Sequence, residues 1–327
     1  MPFTLSRRAL CSGLAASALS TAPAFAEDFP TRPITMIVPF TAGGAGDILA
    51  RVLSQRLEPI WGKGFVVENR PGAGGVIGAV ATAKAPADGY TLMIAPSSTM
   101  AVNVSLYKTL PYNPATDFIP LAIPARTTFI LVVNNNLPVK SVSELIAYAK
   151  AQKEPLAYAT AGPGVPHHLF AELFKSMTGI NMQQVPYKGS LPALQDVIAG
   201  HVPLMFVDLG PGATQIKAGQ VRPLGVSTAQ RLKELPDVPA INETLPGFDV
   251  ASWQMISAPA GTPRAIVEKL HRDIATIMRD PALQEQIDKT GMSPVPSPSL
   301  DDLQAYVKSE IARWTDVVRK AGIEGTM

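Results

Sequence analysis

The sequence predicts an α/β fold of two domains with a ligand cleft between them. Three observations carry that expectation. Strand-like and helix-like segments alternate along most of the chain, a pattern that implies parallel sheets flanked by helices. A length of 327 residues exceeds what one hydrophobic core usually organises. Twice a strand-like run enters a glycine-rich turn and leaves as an amphipathic helix. The first passage is Ile34–Phe40, then Thr41-Ala42-Gly43-Gly44-Ala45-Gly46, then Asp47–Leu57; the second is Leu156–Thr160, then Ala161-Gly162-Pro163-Gly164-Val165-Pro166, then His167–Thr178.

Taken in order, residues 1–26 read as a cleavable export leader. Arg7 and Arg8 open it, Ala9–Ser20 is a short apolar run, and Ala24-Phe25-Ala26 is a small-residue cleavage site. The run is too short for a membrane span, which takes about 20 residues. Ser6-Arg7-Arg8-Ala9-Leu10 fits a twin-arginine signal loosely, and the Sec route stays open beside it. Cys11 is the only cysteine. It lies inside the leader, so the mature chain has no thiol for a disulfide or a metal. The chain carries 28 basic and 26 acidic residues. The leader holds two of the arginines and no acid, which leaves the mature chain neutral. No basic patch or charge run points to nucleic acid or an anionic membrane, and with 6% aromatic residues the chain is poor in platforms that stack sugars or bases.

The first domain is expected to continue with a strand near Phe65–Glu68, a helix near Gly75–Lys84, and a strand at Thr91–Ala95 that starts after the Asp88-Gly89 turn. The second has a strand at Phe129–Val133 and a helix to Lys150 opened by a Ser141…Glu144 capping box. Strand Leu156–Thr160 and helix His167–Thr178 follow. Then come strand Met182–Tyr187, helix Leu191–Ala199 and strands Pro203–Val207 and Arg222–Ser227. The C-terminal part reads as helical. Thr262-Pro263 is an N-cap with proline at the first helical position, and Ile266, Val267, Leu270, Ile274 and Ile277 form one apolar face. Ser299…Asp302 starts the last helix, with a stripe of Leu303, Tyr306, Val307, Ile311, Trp314, Val317 and Val318 and an end at Gly322. That stripe needs a sheet to cover, so these helices should return to the N-terminal sheet. The division is then 27–126 with 250–327 as a discontinuous first domain and 127–249 as the second, with crossings near 124–128 and 246–251.

The glycine turns carry the chemistry. Glycine lets the chain turn with positive φ and lets a ligand approach the main chain, and a helix start offers unpaired N–H groups and partial positive charge to an anion. Two such turns, one per domain, suggest a pincer for an acidic small molecule. Each residue also has a plainer reading. Asp47 suits the helix dipole as a cap. His167-His168 are adjacent and face apart on a helix, so no metal site is expected, and one of them should face the cleft while the other packs or meets solvent. Ser97, Ser98 and Thr99 lack a nucleophile elbow, which leaves hydroxyls that donate to a carboxylate. Asp208 reads as a helix cap, a general base or a selector for amine or hydroxyl groups. Trp253 and Trp314 read as core, and Glu68-Asn69-Arg70 as a hydrogen-bonding element between segments.

Six motifs in this order carry a resemblance over essentially the whole mature chain: IVPFTAGGAGD at 37–47, VENRPGAGG at 67–75, ADGYTLM at 87–93, YATAGPGVPHHL at 158–169, APAGTP at 258–263 and ARWTDVVRKAGI at 312–323. The chain resembles the Bug-type periplasmic receptors of tripartite tricarboxylate transporters. The resemblance implies a periplasmic-binding-protein fold, a Venus flytrap of type II-like organisation, that captures a small carboxylate and delivers it to membrane permease subunits; separately, the chain is expected to be a monomer. It also implies a first grip of Phe40, Ala42, Gly43, Gly44 and Asp47 and a second of Thr160, Ala161, Gly162, Gly164 and His167, with Ser97, Ser98 and Asp208 facing the same cleft. No catalytic residue, metal or cofactor is expected. The chain departs from the family pattern at His167-His168, Asp208–Pro211 and Ser252–Met255, residues that bear on which acid binds. An exported α/β enzyme acting on a small acid, and a ligand sensor for a membrane signalling partner, remain alternatives at this stage.

Overall fold

The computed structural model describes residues 29–320 and 322–327. The leader and Cys11 lie outside the described residues. In chain order the elements are β1 (Ile34–Val38), α1 (Ala45–Trp61), β2 (Phe65–Asn69), α2 (Val76–Ala83), β3 (Thr91–Pro96), a π-turn at Ser98–Val102 and α3 (Asn103–Leu106). Then follow β4 (Phe118–Thr127), β5 (Phe129–Asn134), α4 (Val142–Ala151), β6 (Leu156–Thr160), α5 (Pro166–Thr178), β7 (Met182–Pro186), α6 (Ser190–Ala199), β8 (Leu204–Asp208), α7 (Leu209–Lys217) and β9 (Val221–Val226). The chain closes with β10 (Ser252–Pro259), α8 (Arg264–Ile277), α9 (Pro281–Asp288), β11 (Ser293–Pro294) and α10 (Leu300–Lys320).

These elements build two sheets, one in the order β11-β4-β10-β3-β1-β2 and one in the order β7-β6-β8-β5-β9. The first sheet draws on both ends of the chain and the second only on the middle. β1, β2 and β3 pair in parallel, as do β6, β7 and β8. The expectation of parallel sheets is corrected at three strands: the two-residue β11 runs antiparallel to β4, and two longer strands are reversed as well, β10 between β3 and β4 and β5 against β8 and β9. Both longer strands are the first after the chain crosses from one sheet to the other. Each therefore enters its sheet from the end opposite to strands delivered by a strand–helix–strand turn. Neither β4 nor β10 was expected. β4 carries Pro120 and Pro124, which count against a strand in sequence, and β10 is buried at all eight positions, so it shows no alternation.

Local signals explain most of the helices. Ser141 Oγ accepts the Glu144 amide at 3.1 Å, while Glu144 Oε2 accepts from the amide of Lys140 at 2.7 Å, one residue earlier than a strict capping box. α8 starts at Arg264 with Pro263 in the cap position, one residue later than expected, because the Thr262 hydroxyl donates backward to the Pro259 carbonyl at 2.8 Å. Its five apolar positions are all buried. α10 buries Leu303, Val307, Trp314, Val317 and Val318 and packs on β4 and the Ser98–Val102 turn. Each such side chain, fully buried, contributes about 1.5–3 kcal/mol. Across the two sheets, Phe170 of α5 stacks on Trp314 of α10 with ring centroids 6.0 Å apart and planes 8° apart, so one apolar cluster runs through both halves. No described helix is long and apolar enough to cross a membrane.

Candidate functional site

The turn after β1 ends at Gly43, whose φ of +81° a side chain would resist. Ala42 and Gly43 are exposed, and Gly44 is the N-cap of α1. Asp47 stands in the first turn of that helix and is buried. Its Oδ2 accepts the Gly43 amide at 2.9 Å, and both of its oxygens accept from Arg51, at 3.2 and 3.0 Å. Burial works to raise its pKa, and the Arg51 guanidinium with the Gly43 and Asn69 amides holds the carboxyl below the usual range. Asn69 also donates to the Phe40 carbonyl at 3.1 Å, so the Glu68–Arg70 segment braces this turn. The Phe40 ring lies beside Gly75 and Thr99; a Cβ at Gly75 would come within 3.3 Å of the ring and 2.4 Å of Thr99 Oγ1. The turns after β1, β2 and β3 therefore meet at Phe40.

At the end of β3, Ser97 bonds Ser252 of β10 at 3.2 Å. Ser98 and Thr99 are buried, and their hydroxyls have no protein partner; the same holds for Gln254 Oε1 of β10. A Cβ at Gly46 would lie 3.5 Å from that oxygen, so Gln254 reaches the first turn of α1. The sequence marks Ser252–Met255 only as a departure from the family pattern and does not place Gln254 beside this turn, because β10 arrives from the far end of the chain.

The second sheet assembles a tighter cluster. His167 from the first turn of α5, Ser190 from the first turn of α6 and Asp208 from the end of β8 come together. Asp208 Oδ2 accepts from Ser190 Oγ at 2.5 Å and bonds His167 Nε2 at 3.0 Å, while His167 Nε2 and Ser190 Oγ lie 3.1 Å apart. Burial opposes the charge on Asp208, and the His167 ring and the Ser190 hydroxyl outweigh it, so the carboxyl lies below its ordinary range. Although Asp208 is the N-cap residue of α7, its side chain makes no cap bond there. His167 Nδ1 is buried with no protein partner. A serine–histidine–acid triad uses opposite ring nitrogens for its serine and its acid; here both bonds converge on Nε2. Ser190 was also missed, although Lys188-Gly189-Ser190 repeats the strand–glycine–helix logic of the two turns.

Both histidines are buried, so neither meets solvent. His168 packs, lying nearly parallel to the Tyr158 ring at 6.4 Å, and its Nδ1 accepts the Gly164 amide at 3.1 Å. The Gly162 amide donates to Thr160 Oγ1 at 3.3 Å. The amides of Gly43, Gly162 and Gly164 are thus engaged within the protein, and Ala161 sits half-buried just before Gly162. A groove of about 350 Å³ lies elsewhere, beside the chain crossings, lined by Arg126, Thr128, Arg231, Asp249, Tyr306 and Arg313 among others. Among the described residues no group of three His, Cys, Asp or Glu could hold a metal.

With this geometry in hand, the comparisons are specific. The profile of the tripartite tricarboxylate transporter family receptor matches residues 49–323. Protein BugT of Bordetella pertussis is 38% identical over 309 residues, 94% of each chain. Among solved structures, R. palustris Rpa4515 with adipate is 42% identical with a TM-score of 0.82, covering 90% of this chain and 99% of that one. MatC from Rhodopseudomonas palustris with bound malate is 32% identical with a TM-score of 0.79, covering 89% and 100%. Proteins of this family are periplasmic solute-binding receptors, not enzymes. The chain belongs to the tripartite tricarboxylate transporter receptor family.

Proposed function

We propose that this receptor closes on a small carboxylate in the periplasm and delivers it to the permease subunits of its transporter, working as a monomer and performing no chemistry on the ligand. Residues 1–26 serve as the export leader. Residues 27–126 with 250–327 form one lobe and residues 127–249 the other. The observation that carries the reading is the pair of glycine turns, one at the carboxyl edge of each sheet, where open α/β sheets bind ligands. The first grip is Phe40, Ala42, Gly43, Gly44 and Asp47, with Ser97 and Ser98 beside it; the second is Thr160, Ala161, Gly162, Gly164 and His167, with Asp208 beside it. Because several glycine amides already donate internally, the buried unpartnered hydroxyls of Ser98 and Thr99 and ordered waters share the work of holding the carboxylate. Adipate and malate, bound by relatives, make small aliphatic diacids the first class to try.

The test is a thermal-shift screen of the purified protein against small acids, after unfolding and refolding to strip any carried-over ligand. A ligand at about 100 times its dissociation constant adds roughly 2.7 kcal/mol of stability. A shift with one acid that vanishes with its amide or ester is the expected result. A folded protein that responds to no acid in the panel overturns the reading.

A further inference from the structure

The two halves approach each other without side chains between them at one place. Gly210, in the first turn of α7, lies against Gly291, which ends the turn after α9. A Cβ at Gly291 would stand 2.5 Å from Gly210 Cα and 2.7 Å from its amide nitrogen; one at Gly210 would stand 3.3 Å from the Thr290 carbonyl. Carbon atoms in contact sit about 3.5–4.0 Å apart, so a side chain at 291 needs roughly 1 Å of separation, and the obstacle is backbone that cannot turn aside. The location matters as much as the distance. Gly210 follows Asp208 at the carboxyl end of β8, and its neighbour Leu209 donates to the Thr128 carbonyl at 3.0 Å, at the first chain crossing. Gly291 precedes β11, whose Ser293 pairs with Arg126 at the carboxyl end of β4. Both glycines therefore sit on the carboxyl edges of their sheets, the side that bears the glycine turns, and next to the crossing about which the halves would rotate. At a short lever arm, a small wedge opens the distant mouth widely. A softer contact lies at Gly164, where a Cβ would meet the flexible ends of Leu106 at 2.6 Å and Met327 at 3.2 Å.

We propose that the Gly210–Gly291 backbone contact is the inner stop of cleft closure, and that these two glycines are positioning residues whose missing side chains set the affinity for the ligand. This rests on the reading that the receptor binds by closing. Ligand affinity is reduced by the fraction of molecules that can reach the closed form, so a wedge acts on affinity without touching the ligand.

The test uses G291N, since Asn tolerates the φ of +81° at this position, and G210L, which places its bulk on the other half at a position without positive φ. The control is G179N. Gly179 has a φ of +67° and no atom within 4 Å of its Cβ position, so it carries the cost of the backbone alone. Binding is read by calorimetry with the acid found in the screen, and shape by small-angle scattering with and without that acid. G291N and G210L are expected to bind at least about tenfold more weakly, mainly through faster release, and to scatter in the acid with a larger radius than wild type. G179N should do neither. If G291N fails to fold, G210L decides. Wild-type affinity and scattering in both wedge variants overturn the proposal while leaving the receptor reading intact. If wild type itself binds no acid, the receptor reading fails, and the stop is judged on ligand-free scattering alone: a larger radius in the wedge variants supports it, and an unchanged radius overturns it.

Discussion

Asp208 offers the sharpest test of the cluster in the second sheet. Its Oδ2 holds two donors, Ser190 Oγ at 2.5 Å and His167 Nε2 at 3.0 Å. His167 is 7% exposed at its side chain and Asp208 26%. A hydrogen bond to a charged group contributes about 1.5–3 kcal/mol and a neutral one about 0.5–1.5. The exposed quarter of Asp208 places both bonds in the lower part of the charged range. D208N keeps the shape but asks one neutral oxygen to serve both donors, at a cost of about 1 kcal/mol. D208A removes both bonds and leaves the buried His167 ring with Ser190 Oγ alone at Nε2 and no partner at Nδ1, at a cost of about 3 kcal/mol. With a midpoint entropy of about 2.1 cal/mol/K per residue over roughly 300 residues, 3 kcal/mol lowers the melting temperature by about 5 °C.

The pH dependence separates charge from shape. The carboxyl of Asp208 is lowered in the folded protein, so between its folded value and the unfolded value of about 3.9 the unfolded chain binds more protons, and stability rises with pH. The advantage of wild type over D208N is therefore complete well above pH 4 and disappears as pH falls through the folded pKa. Calorimetric melting of both proteins between pH 3 and 7 measures it. A difference that stays constant across that range refutes the ionic account, and a D208A protein as stable as wild type at pH 7 refutes the anchoring role itself.

Three further outcomes are expected. Glu310 is buried, and its Oε2 accepts the indole N–H groups of Trp253 at 2.8 Å and Trp314 at 3.2 Å; E310L strands both donors and should cost about 3 kcal/mol in urea unfolding followed by tryptophan fluorescence, and a loss below about 1 kcal/mol would mean the indoles find other partners. Tyr158 Oη donates to Glu172 Oε1 at 2.6 Å with both residues buried; Y158F should lose about 1.5–3 kcal/mol by the same measurement, and an unchanged midpoint in urea would contradict it. D47A frees the Gly43 amide and Arg51 from their shared acceptor, so acid affinity should fall by about tenfold for a stability loss near 1 kcal/mol, and calorimetry showing full affinity would remove Asp47 from the support of the first grip.

What the sequence made legible, and what it hid, follows from range. The strands that enter the glycine turns, the helices that leave them and the stripe of α10 are set by periodicity and caps within a few residues, and all of them stand in the structure. The sequence also says that a glycine amide is available at such a turn, but it cannot say whether a side chain four residues on has taken it. Asp47 takes the amide of Gly43 and His168 that of Gly164. In both cases the acceptor stands at i+4, in the first turn of the following helix, where several side chains can reach the amide and only the fold decides which one does. Ser190 was legible, as part of a third strand–glycine–helix passage. Gln254, the Phe170–Trp314 stack and the Gly210–Gly291 contact are different in kind. Each joins segments tens of residues apart or more, and β10 and β5, which make such joins possible, enter their sheets reversed. Relatives hold adipate and malate, and on the proposed reading the glycine turns account for capture of an acid in general. On that reading, discrimination between acids falls to groups that the turns do not dictate: Gln254 and the Ser98 and Thr99 hydroxyls on one side, and the His167–Ser190–Asp208 cluster on the other. Asp208 Oδ2 is already filled by two donors and its carboxyl is held below the ordinary range, so, if the cluster lines the cleft as proposed, it should repel a second carboxylate placed against it and welcome a hydroxyl or an amine.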